Sequence, residues 1–207
     1  MSVAIIQKSP IAGLLTPPPS KSAGHRALIC AALAALQNRE EGACCRVSHL
    51  LDPSGSALSD DLAATLRAIR AMGVDATTDA DALILTAGSR PSGSAEVDCG
   101  ESGSTLRFFL PLFAALGLPA RFTGRGRLPD RPLGVYADCL PAHGVSLSFP
   151  PSGGCLPLDL SGRLTGGPFS FPAISPVSLS AACSWPFPFV MRTAPSACPP
   201  PWNRRIM

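Results

Sequence analysis

Two stretches of this 207-residue chain repeat one order of elements. "LAATLRAIRAMGVDATTDADALILTAG" and "LGVYADCLPAHGVSLSFPPSGGCLPLDLSG" each read as a helix, a Gly-Val pair, a strand, a turn and a second strand. The Gly-Val pairs, Gly73-Val74 and Gly144-Val145, lie 71 residues apart. The helices ahead of each copy also correspond. "SKSAGHRALICAALAAL" and "GESGSTLRFFLPLFAALG" each carry an early arginine, Arg26 and Arg107. A chain patterned this way is an α/β protein built from a helix-and-strand unit used more than once.

The elements follow from local chemistry. Ser20 or Ser22 is placed to cap a helix running to about Leu36, with Leu28, Ile29, Ala32, Leu33 and Leu36 on a broad apolar face. Residues 60–73 predict an amphipathic helix with Asp60 and Asp61 in its first turn and Gly73 as its stop. "VDATTDADALILTAG" then gives two short strands around a polar turn. A third helix is predicted over 104–117, with Pro111 expected to kink or restart it. A strand at "ARFTGRGRL", a helix at about 132–142, and strands at "GVSLSF" and "LPLDLSG" complete the pattern.

Net charge and cysteine usage narrow the function classes. A charge of +3 without a dense Lys/Arg block argues against a nucleic-acid surface and suits an anionic small molecule. The eight cysteines form no C-x-x-C pair and show no zinc spacing. The opening residues, MSVAIIQKSP, lack the apolar region of a secretion signal, so reduced and mostly buried thiols are expected. No apolar run approaches the ~20 residues of a membrane span. The expectation is a soluble cytoplasmic protein with no metal, membrane or nucleic-acid partner.

Four cations stand beside Gly, Ser or Pro: Lys21, Arg26, Arg107 and Arg127, with Arg131 a further candidate. A helix N-terminus offers free N–H groups and a positive dipole end, which suit phosphate or carboxylate. Lysine adds a point charge and arginine a planar fork. "SKSAGHR" supplies two hydroxyls, an ammonium, a guanidinium and a helix start in seven residues, and "GESGSTLR" repeats the arrangement. Two such starts imply two anionic groups, or one ligand with two acidic ends. Plainer readings stand beside these. "SKSAGHR" also fits an ordinary capped helix, and Gly124-Arg125-Gly126 a simple turn. His25 reads as packed or solvated rather than a base, Cys44-Cys45 as a buried apolar pair, and Asp60-Asp61 as capping acids.

Taken together, "PPSKSAGHRALICAALA", "DLAATLRAIRAMG", "VDCGESGSTLRFFLPLFAALG", "FTGRGRLPDRPLGVYADCL" and "LPLDLSGRLTGGPFSFP" closely resemble the N-terminal portion of the 5-enolpyruvylshikimate-3-phosphate (EPSP) synthase family, the 3-phosphoshikimate 1-carboxyvinyltransferases. The resemblance covers residues 1 to about 172. The related UDP-N-acetylglucosamine enolpyruvyl transferases carry Asn where Ser22 stands and lack the following His-Arg. The resemblance implies an inside-out α/β barrel of repeated βαβαββ-type units, of which residues 1–172 would hold an incomplete N-terminal domain. It implies enolpyruvyl transfer from phosphoenolpyruvate to the 5-hydroxyl of shikimate 3-phosphate, a shikimate-pathway step toward chorismate and the aromatic amino acids. No cofactor is implied, and a monomer is expected. By motif, Lys21 would touch both substrates, Ser22 and Arg26 would bind shikimate 3-phosphate, and Gly103 and Arg127 would line the phosphoenolpyruvate site.

The chain departs from the family after "FSFP". The family continues with Gly-Asn-x-Ser-Ser-Gln, whereas this chain has no Asp or Glu beyond Asp159 and places both Trp185 and Trp202 in its last 35 residues, seven of them Pro. Backing up one nucleotide allows Gly-Asn-Ile-Ser-Ser-Gln from position 173 and forces Ala at Trp185-Pro186 and Glu at Trp202-Asn203. The expectation is a frame change near Pro172, a Pro-rich tail over 173–207 that does not pack, and a chain that keeps substrate-binding groups without the family's acid/base carboxylate. The alternatives are a non-catalytic module for a phosphorylated acid and a relative of the UDP-N-acetylglucosamine enolpyruvyl transferases.

Overall fold

The computed structural model describes residues 12–14, 17–40, 43–51, 57–151 and 153–166. The tail 173–207, with the frame change expected there, lies outside the described residues. In chain order the elements are α1 (Lys21–Gln37), β1 (Cys44–Ser48), α2 (Asp60–Ala71), β2 (Val74–Asp79), β3 (Ala82–Ala87), β4 (Ala95–Asp98), α3 (Gly103–Leu116), β5 (Ala120–Thr123), α4 (Gly134–Cys139), a 3-10 turn (Pro141–His143), β6 (Val145–Ser148) and β7 (Leu158–Gly162).

The sequence repeat is a structural repeat. One sheet has the order β1-β3-β2 and the other β4-β5-β7-β6. In each, a hairpin (β2–β3 or β6–β7) pairs antiparallel through its second strand with the strand before it, β1 or β5. β4 joins β5 in parallel. Val74 faces Ala87, the last residue of β3, and Val145 faces Gly162, the last residue of β7. The preceding glycines are required by the turn: Gly73 has φ +85° and Gly144 φ +80°. A Cβ at Gly73 would collide with the Ser89 carbonyl, and one at Gly144 would sit 3.0 Å from the Arg163 carbonyl.

Caps and apolar spacing place the helices. The Ser20 hydroxyl accepts from the Ala23 N–H at 3.4 Å, and the Ser102 hydroxyl accepts from the Thr105 N–H at 3.2 Å, so α1 and α3 begin alike. In α3, eleven of 14 residues are buried, as a helix apolar all round must be. Its Phe109 and Phe113 join Phe122 of β5 and Tyr136 of α4 in the fully buried core. Phe113 and Phe122 meet edge to face, centroids 5.5 Å apart.

Several expectations are corrected. α3 runs unbroken through Pro111. Proline leaves the Arg107 carbonyl without its helical donor, and the Tyr136 hydroxyl donates to that carbonyl instead, at 2.8 Å. The helix expected at 132–142 is a short helix over Gly134–Cys139 followed by the 3-10 turn, because Pro141 cannot supply the next N–H. β1, five residues long, and β4, four residues long, fall outside the expected strands, because so short a segment carries too little alternation to register in the sequence. Cys44 is exposed and Cys45 half-buried, because they alternate along an edge strand rather than pair in the core. Nor are the described thiols mostly buried. Cys99 and Cys155 are, whereas Cys30 and Cys44 are exposed. Burial pushes the Cys99 thiol up to about 12, which leaves it unreactive.

Candidate anion-binding site

The first turns of α1, α2 and α3 gather at one end of the molecule. A buried hydrogen-bond chain crosses them. His25 Nδ1 and Thr65 Oγ1 share a hydrogen bond of 2.7 Å, Thr65 Oγ1 and Thr105 Oγ1 one of 2.9 Å, and Thr105 Oγ1 donates to Ser102 Oγ at 2.8 Å. These four are the buried polar side chains among the described residues. Each is satisfied inside the core, and together they hold three helix starts in register. His25 is therefore a packed histidine. Burial lowers its pKa, opposed by Asp61 and reinforced by Arg26 and Lys21.

Where the helix starts converge, a cleft of about 610 Å³ opens. Lys21 reaches it from α1, Asp60, Asp61 and Arg67 from α2, Gly100 and Glu101 from the loop before α3, and Arg125 from the loop after β5. The Gly-rich loops are held against each other: Arg125 N–H donates to the Gly100 carbonyl at 2.8 Å, and a Cβ at Gly126 would meet the Glu101 carboxylate at 2.5 Å. Three cations and three carboxylates share the cleft. Lys21 Nζ lies 3.0 Å from Asp61 Oδ2, with side-chain exposures of 59% and 34%. Arg67 is bound to Asp98 at 3.2 Å. Exposed pairs of this kind hold only about 0–1 kcal/mol, so a multiply charged anion can displace Asp61 from the ammonium.

The other candidates divide around this cleft. Arg26 donates to Ser22 Oγ at 2.5 Å and to the Ser22 carbonyl at 2.9 Å, and its guanidinium stacks 5.5 Å above the Phe108 ring. Ser22 and Arg26 thus form one unit on α1, aimed toward α3. Gly103 lies buried at the start of α3, directly under the Arg131 guanidinium, which a Cβ there would strike. Arg107 points elsewhere. Its charge acts on the Cys155 thiol, and its Nε is buried without a hydrogen-bond partner. Arg127 is exposed and outside the cleft lining, where Arg125 stands instead. Arg67, Glu101 and Arg125 escaped the sequence reading. Arg125 shares the glycine-flanked signal that singled out Arg127, but only the loop's φ values decide which side chain turns inward.

Two α/β units related by an internal repeat, with helix starts collected at one cleft, define the class. The described fold is similar to that of a solved structure of EPSP synthase from Acinetobacter baumannii, with a TM-score of 0.62 at 22% identity, over 83% of this chain and 37% of that one. The EPSP synthase (3-phosphoshikimate 1-carboxyvinyltransferase) family model matches residues 5–181, and the chain belongs to that family. A 3-phosphoshikimate 1-carboxyvinyltransferase of Clostridium kluyveri is 35% identical over 174 residues, 82% of this chain and 36% of the relative. That of Clostridium acetobutylicum is 36% identical over 159 residues, 75% of this chain and 34% of the relative. The chain thus spans about a third of the length of the curated relatives it matches. Among the described residues no helix is long and apolar enough to cross a membrane.

Proposed function

We propose that this chain carries a substrate-binding face for enolpyruvyl transfer from phosphoenolpyruvate to the 5-hydroxyl of shikimate 3-phosphate. The observation that carries the reading is the meeting of Lys21, Arg67 and Arg125 with capped helix starts at one cleft. Each substrate bears a phosphate and a carboxylate, so two anion-holding helix starts suit the pair. Lys21 bridges both substrates. Ser22 and Arg26, already joined, present a hydroxyl and a guanidinium to shikimate 3-phosphate. Phosphoenolpyruvate is held at the α3 start, where Gly103 leaves the backbone open beneath the Arg131 guanidinium; Arg127, exposed on its loop outside the cleft lining, has to swing inward to join it. These groups bind and orient; none is a general acid or base for the transfer. The chain alone is therefore inactive. We read residues 173–207 as out of frame, which resequencing codons 165 to 180 tests.

Calorimetry with shikimate 3-phosphate tests the reading. Saturable binding, weakened at least tenfold by Lys21→Met, supports it. No binding by the folded chain removes it, and phosphate release from both substrates by the chain alone overturns the inactivity.

A further inference from the structure

The opposite end of the same helices holds a second concave site. Leu36 in the last turn of α1, Met72 at the C-cap of α2 and Leu116 ending α3 line it, with Leu118 beyond, in a pocket of about 220 Å³. Three guanidinium groups rim this apolar floor: Arg39, Arg90 and Arg163. Among the described residues no Asp or Glu lines the pocket. Among the described residues none of the three forms an ion pair, although five ion pairs form elsewhere.

Helix C-termini attract arginines through their dipoles, and that would be the plain reason for the cluster. The hydrogen bonds argue otherwise. Two of the helix ends are closed by backbone: Gly73 N–H donates to the Arg70 carbonyl of α2, and Leu118 N–H to the Phe113 carbonyl of α3. Among the described residues the three guanidiniums make one hydrogen bond, from Arg39 to the Gly88 carbonyl, in a loop, at 3.1 Å. Arg90 and Arg163 come from two different loops, after β3 and after β7, and converge on one floor. Three like charges brought together repel one another, and an anion between them offsets that repulsion.

We propose that this pocket binds a small anion with a compact apolar body, its ring or chain on Leu36, Met72 and Leu118 and its phosphate or carboxylate between the arginines. The volume lies below the roughly 300–1,000 Å³ of drug-sized pockets, which limits the ligand to about one ring. The site is separate from the Lys21 cleft and does not rest on the enolpyruvyl reading.

Phenyl phosphate is the probe, titrated into the whole chain carrying 13C-labelled Met and Leu methyls. Saturable shifts at Met72 and Leu118 are expected. The affinity should fall at least tenfold in Arg90→Gln and in Arg163→Gln, which keep much of the stem and remove the charge. Lys21→Met should leave the shifts unchanged, and inorganic phosphate should bind at least tenfold more weakly. Absent or unsaturable shifts overturn the proposal. So does equal affinity in both arginine variants, or loss of the shifts in Lys21→Met, which would place the probe in the other cleft.

Discussion

The Tyr136 hydroxyl donates to the Arg107 carbonyl at 2.8 Å, across 29 residues of sequence, and thereby repairs the gap that Pro111 leaves in α3. Tyr136 is fully buried, so its phenol has no water to turn to. Tyr136→Phe should leave the carbonyl unpaired and cost about 1–3 kcal/mol, read from urea unfolding. In a Pro111→Ala background the new N–H can reach the same carbonyl, and the Tyr136→Phe cost should shrink. Equal costs in both backgrounds would show that the hydroxyl is not compensating for the proline.

Gly103 and Arg131 make a second dependent pair. A methyl group at position 103 occupies the space of the Arg131 guanidinium. Gly103→Ala should therefore displace the arginine and weaken phosphoenolpyruvate binding, while shikimate 3-phosphate binding stays within about twofold. In an Arg131→Ala background the added methyl should do little more. Calorimetry on the four proteins measures this, and additive losses would separate the two residues.

Asp61 competes for Lys21. Asp61→Asn removes the 3.0 Å partner and frees the ammonium for an external anion. Because the pair is exposed and holds about 0–1 kcal/mol, the gain in shikimate 3-phosphate affinity should reach no more than about fivefold. A loss of affinity would mean that Asp61 orients the lysine rather than occupying it.

His25 sets a pH dependence. Burial, aided by Arg26 and Lys21 and opposed by Asp61, lowers its folded-state pKa below 6.5. Between the two values the unfolded chain binds the extra proton, so stability rises with pH across that window. The contribution is present in full above pH 6.5 and is lost as pH falls through the folded-state value. Denaturation midpoints at pH 7.5 and 5.5 should differ more for the wild type than for His25→Asn, whose amide does not titrate in this range. Matching pH dependences would assign the acid sensitivity to other groups.

Local chemistry made much of the fold legible. α1 and α3 announce themselves through Ser20 and Ser102, α2 through its acidic first turn and apolar spacing, and the hairpins through Gly73-Val74 and Gly144-Val145. β1 and β4 were hidden because short strands are specified by their neighbours. Among the described residues β4 gains its ladder from β5, 25 residues onward. The proline in α3 misled for a related reason, since its cost is offset by a hydroxyl from another helix.

The candidate site divides along the same line. Which residues could hold an anion was written in "SKSAGHR" and "GESGSTLR", because hydroxyl caps, a cation and a helix start lie within one or two turns of one another. Which of them face one another was decided by tertiary structure. Lys21 meets Asp61 from 40 positions away, and Arg125 rather than Arg127 enters the cleft. A helix turns its side chains by about 100° per residue, and a loop aims them by its φ angles. Local sequence therefore determined the kinds of groups and the repeating unit that carries them. Their meeting was settled only when the buried His25–Thr65–Thr105–Ser102 chain locked three helices in one rotation.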